Sequence, residues 1–161
     1  MQYLIYVIIM IVALILQVTI FSFYSVWGIT PDLLLIIVIS LALVNGYRWG
    51  AYMGFVAGFF QDIFSGGFFG INIIIKLILG YGFGFFERKV YHKNIVIPIV
   101  SVVVATIFSQ FLFVILTDHV MLKIELWTRF KEIIMPLVAL HILLSLIIYP
   151  LTYYINNKFK K

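Results

Sequence analysis

Six apolar runs separated by short polar breaks leave this chain one solvent in which to fold. About 20 apolar residues cross a bilayer as a helix. Residues 3–23, 29–47, 49–64, 68–86, 95–116 and 135–155 divide into segments of roughly that size. Of 161 residues, 65% are hydrophobic and 11% charged, whereas a soluble domain is about 25% charged. Mean hydropathy is +1.19. The expected fold is an all-α integral membrane protein with six transmembrane helices, a single membrane domain over residues 1–161. The apolar cores Leu33–Val44 and Trp49–Phe60 are short. They read as two short spans, with a re-entrant hairpin as the alternative, and either returns the chain to the same side. The first run lacks a basic leader and a small-residue cleavage site, so it reads as a retained helix.

The net charge of +5 does not mark a nucleic-acid surface. Arg48, the cluster Arg88, Lys89 and Lys93, and the tail Lys158, Lys160 and Lys161 fall in alternate breaks. The breaks at 24–30 and 65–67 carry no Lys or Arg, and the last outer loop balances Lys123, Arg129 and Lys131 with Asp118, Glu125 and Glu132. Lys and Arg favour the cytoplasmic side. That places both termini in the cytoplasm, with Trp27, Trp49 and Trp127 near the interfaces. Residues 118–134 alternate apolar and charged positions at helical spacing, with Glu125 and Arg129 four apart. They predict an amphipathic helix lying in the outer interface.

The segment Gly50–Asn72 carries the most specific pattern. Gly50, Gly54 and Gly58 share one face of an apolar helix, and Gly80 and Gly84 repeat the spacing on the next span. Small residues at every fourth position let helices approach closely in lipid. The first stripe serves packing inside the bundle or docking of a partner helix, a homodimer included; for the second, internal packing is expected. Gln61 and Asp62 end the third span, followed by Ser65, Gly66, Gly67, Gly70 and Asn72. Lys76 lies about two turns into the fourth span. A charge in lipid needs a partner. Asp62 is therefore expected to pair with Lys76 or to cap the turn that follows, fixing helix packing or forming a polar seat for a ligand. Pro31 and Asp32 read as a helix start, with the acid favourable to the helix dipole.

His141 stands alone in an apolar helix and is expected to hydrogen-bond between helices. His92, His119 and His141 share no metal-binding spacing, and the chain has no cysteine. No nucleophile motif, phosphate loop or carboxylate couple appears. No catalytic residue, metal or cofactor is expected.

These residues resemble the MreD family of rod shape-determining membrane proteins. The resemblance covers nearly the whole chain: Pro31-Asp32-Leu33-Leu34, the Gly50/Gly54/Gly58 helix, Gln61-Asp62 with Ser65-Gly66-Gly67 and Gly70-Ile71-Asn72, and the closing Pro136…Pro150 helix with its basic tail. His141 departs from it, since relatives more often carry Asn there. The resemblance implies a non-enzymatic scaffold of the cell-elongation machinery in the bacterial cytoplasmic membrane. The implied partners are MreC, MreB, RodA and the penicillin-binding partner of RodA. It also implies a fold similar to the substrate-binding subunit of energy-coupling-factor transporters. The competing expectation is a vitamin-type solute-binding subunit, with Asp62, Lys76, Asn72 and His141 lining its pocket. The first helix carries only Ala13 where such subunits show Ala-x-x-x-Ala.

Overall fold

The computed structural model describes residues 2–21, 23, 29–65, 68–86, 96–117 and 130–159. Six α-helices run through these residues: α1 (Gln2–Leu16), α2 (Leu33–Asn45), α3 (Tyr47–Ser65), α4 (Ile71–Gly84), α5 (Val96–Thr117) and α6 (Met135–Phe159). A π-helical segment, Gln17–Phe21, prolongs α1, and another, Phe130–Ile134, leads into α6. The protein is an all-α membrane protein. The Gly66-Gly67 turn, the Arg88–Lys93 cluster, residues 118–129 of the expected amphipathic helix, and Trp27 and Trp127 lie outside the described residues.

The short helix α2 organises the bundle. Every residue from Leu33 to Leu43 is buried, and α2 touches all five other α-helices. A helix that is apolar all round belongs inside. Leu34, Ile37, Val38 and Leu41 pack with Tyr6, Met10, Met53 and Ala57. Leu35, Ile36, Ile39 and Leu43 pack on the other side with Ile75, Leu79, Val102 and Ala105. The outer surface is apolar as well: Ile8, Phe55, Phe59, Phe108, Phe111, Leu143 and Ile147 are exposed, as a lipid-facing shell requires.

Among the described residues, three segments have the length and apolarity to cross a bilayer, Leu4–Phe21, Val96–Leu116 and Glu132–Lys158, whereas α2 and α4 are shorter apolar helices. At 1.5 Å per residue, the 13 residues of α2 extend about 20 Å, against a hydrocarbon core of about 30 Å. A helix wrapped in protein can stop short of the interface if its terminal backbone groups find partners.

Gly46 alone separates α2 from α3, with φ of 89°, so the break expected at residue 48 falls at residue 46. One end of the bundle is fixed by Tyr6, whose hydroxyl donates to Asn156 Oδ1 at 3.1 Å and whose ring meets Trp49 edge-on. Tyr47 stacks on Phe85. The start of α1, the start of α3 and the ends of α4 and α6 therefore lie together, with Arg48 and Lys158 exposed beside them.

Candidate functional site

The glycine stripe of α3 faces α4 in an antiparallel register. A methyl group added at Gly50 would strike the carbonyl of Gly80, one at Gly54 the carbonyl of Lys76, and one at Gly58 the backbone of Asn72 and Ile73. From the other side, Gly80 would strike Gly50, and Gly84 would strike Tyr47. The two helices thus meet backbone on backbone. Of the two uses open to the stripe, internal packing is the one built: α4 covers Gly50, Gly54 and Gly58.

At the opposite end from Arg48 and Lys158, polar side chains converge on the N-termini of the two short helices. The first N–H groups of any helix lack intrahelical partners, and in lipid each unpaired one is costly. At α2, Asp32 is the N-cap and its Oδ1 accepts from Leu35 N at 2.9 Å. Leu33 N donates to Gln17 Oε1 at 3.1 Å. Asp32 N donates to His141 Nε2 at 2.9 Å. At α4, the N-cap Gly70 offers no side chain, and Asp62 reaches across from α3 instead. Its Oδ2 accepts from Gly70 N at 2.9 Å and Ile73 N at 3.2 Å. Its Oδ1 accepts from Asn72 N at 3.1 Å and Asn72 Nδ2 at 2.8 Å. A carboxylate at a helix N-terminus also meets the positive end of the dipole.

Lys76 pairs with Asp32, Nζ to Oδ2 at 2.6 Å. This corrects the expected Asp62–Lys76 pair. Asp62 fills its lone pairs with three backbone amides and the Asn72 side chain, while Lys76, 1% exposed, reaches the carboxylate that heads the central helix. Gln61 Nε2 approaches the same Asp32 oxygen at 3.5 Å, and Gln61 Oε1 is buried without a hydrogen-bond partner among the described residues.

The protonation of His141 follows from its neighbours. A backbone N–H can only donate, so Nε2 accepts and the ring is neutral with its proton on Nδ1. Nδ1 then donates to Thr106 Oγ1 at 2.7 Å, and Thr106 donates onward to Val102 O at 2.7 Å. The chain of donors closes, with α6, α2 and α5 joined through one imidazole. Among the described residues no group of His, Cys, Asp or Glu could hold a metal ion.

Gln17 and Thr106 had no place in the sequence reading of the site. The signal was available in part. Gln17 is the first amide inside the opening apolar run, and Thr106 recurs with Ser101 and Ser109 along the fifth. The expected first-turn places of Pro31 and Asp32 are corrected, since α2 begins at Leu33 with Asp32 as its N-cap and Pro31 before it, and Gly70 proved to be a residue that needs positive φ, at 103°.

The family whose sequence model is described as rod shape-determining protein MreD matches residues 1–159. The chain belongs to the MreD family. No curated protein and no solved structure matches it. Membership in MreD implies a role in determining rod shape, and the polar cluster is the internal fastening of that family member's bundle.

Proposed function

We propose that the protein is a non-enzymatic scaffold of the cell-elongation machinery in the bacterial cytoplasmic membrane. In this reading it links MreC, MreB and the peptidoglycan synthase pair of RodA with its penicillin-binding partner. Both termini and the Arg48 end face the cytoplasm, as the bias of Lys and Arg favours. The observation that carries the proposal is how the polar groups are used, set beside the family match over residues 1–159. Asp32, Asp62, Asn72, Lys76 and His141 are turned on one another and on two helix N-termini. The outer shell is apolar. A body fastened inside and apolar outside acts through its surface.

The vitamin-binding alternative needs those same side chains to line a pocket. Each instead spends its hydrogen-bonding groups within the bundle, so the structure does not favour it. In a rod-shaped host, depletion of the protein should produce round cells, and affinity purification of the complemented strain should recover MreC. Rods that persist after clean depletion would refute the scaffold role.

A further inference from the structure

The first helix is gripped along one stripe, Tyr6, Met10, Ala13 and Leu14, while Leu4, Ile8, Val12 and Ile15 stay exposed. Beside that stripe, between α1, α2 and α6, runs a cleft of about 330 Å³ lined by Ile9, Val12, Ile37, Leu144, Leu151 and Ile155. Two hydroxyls reach its wall and both are already engaged: Tyr6 with Asn156, and Thr152 with the carbonyl of Ile148. The cleft therefore asks for an apolar occupant.

Its dimensions select which one. Along α1 the cleft runs from Tyr6 to Leu16, about 15 Å at 1.5 Å per residue. The space open to atom centres over that length, widened by about 1.4 Å of atomic radius on each side, leaves a groove about 8 Å across. A helix with its side chains is about 10 Å thick, too wide to enter. A hydrocarbon chain, whose carbons touch neighbours at about 3.5–4.0 Å, fits. Charge selects the headgroup. Lys158 stands three residues beyond Ile155, on the same face of α6, exposed past the end of the cleft that Tyr6 and Ile155 line. A chain lying in the groove toward Ile155 would carry its phosphate to the end of α6 where Lys158 is exposed.

We propose that the cleft between α1, α2 and α6 holds one acyl chain of an anionic phospholipid, with the lipid phosphate paired to Lys158. The occupant completes the contact of α1 with the bundle, which protein side chains leave half made.

Native mass spectrometry of the full chain, released from mild detergent, tests this with added phosphatidylglycerol and phosphatidylcholine. The wild type should retain one lipid and prefer phosphatidylglycerol about fivefold, the factor expected of one Lys near an anionic surface. Val12→Trp fills the bore from an exposed position and should remove the retained lipid. Ile147→Trp, on the exposed face of α6, should leave it in place and controls for folding. Lys158→Glu should keep a bound chain and lose the headgroup preference. Equal retention of the two lipids by the wild type overturns the phosphate contact. Retention unchanged in Val12→Trp overturns the cleft as the site. A second copy of the chain, lost in Val12→Trp with no lipid bound in the wild type, would make the cleft a protein interface and likewise overturn the proposal.

Discussion

Lys76 Nζ lies 2.6 Å from Asp32 Oδ2 and ties the middle of α4 to the N-cap of α2. The pair neutralises two charges inside an apolar bundle while Asp32 keeps its bond to Leu35 N. Removing one partner leaves the other uncompensated, which costs about 3–5 kcal/mol for a buried pair. Lys76→Met should therefore lower stability by about that much, read as an earlier midpoint in detergent-denaturant unfolding. The double variant Asp32→Asn with Lys76→Met should be more stable than Lys76→Met alone. It removes both charges, and the Asn oxygen can still cap α2. A Lys76→Met protein as stable as the wild type would mean the pair carries no weight.

Glycines of similar sequence context should behave in opposite ways. A Cβ at Gly54 strikes the Lys76 carbonyl, backbone that cannot swing aside, whereas one at Gly82 meets nothing within 4 Å. Gly54→Ala should cost about 1–3 kcal/mol through forced separation of α3 and α4. Gly82→Ala should be neutral or gain up to about 1 kcal/mol, because Ala is the better helix former. Thermal unfolding in one detergent compares them directly. Equal shifts for the two would show that α3 and α4 are not in backbone contact.

At position 141 the side chain must accept from Asp32 N and donate to Thr106. His141→Leu keeps the volume and loses both, leaving a backbone N–H unsatisfied in an apolar interior at a cost of about 1–3 kcal/mol. His141→Asn has an acceptor and a donor of its own and should lose less. Amide hydrogen exchange at residues 32–35 supplies the second measurement: faster exchange in His141→Leu than in His141→Asn. Identical protection in the two variants would contradict the bridge.

The parts of this architecture that depend on spacing were legible in the sequence, and those that depend on which helix lies opposite were not. Gly50, Gly54 and Gly58 announce a close approach through their period alone, but one sequence cannot say that α4 covers them. The run from Leu33 to Leu43 has no polar face, which already implies burial on every side. The partner of Lys76 was misread because Asp62 is the nearer acid along the chain. The choice was made by the needs of the α4 N-terminus, whose N-cap is a glycine and whose amides take up Asp62. Among the six helices, α2 and α4 are the shorter apolar ones for a related reason. Polar side chains at 17, 32, 62 and 141 finish α2 and α4 inside the protein, so those helices do not have to reach water.

The link between Asp62 and Gly70 yields a coupling that can be measured. Gly70 holds φ at 103°, and its N–H is fixed by Asp62 Oδ2 at 2.9 Å. Open space surrounds the glycine, so Gly70→Ala is penalised by backbone conformation alone, about 1–2 kcal/mol. Asp62→Ala removes an acceptor of four hydrogen bonds and should cost at least the roughly 0.5–2 kcal/mol of a lost N-cap. The two losses should not add. Once Asp62 is gone, nothing holds the Gly70 amide toward α3, the turn can relax to negative φ, and alanine there meets less strain. The double variant should therefore be more stable than the sum of the single losses predicts. Strict additivity would show that the turn keeps its shape without the carboxylate, and that Asp62 only decorates a conformation set elsewhere.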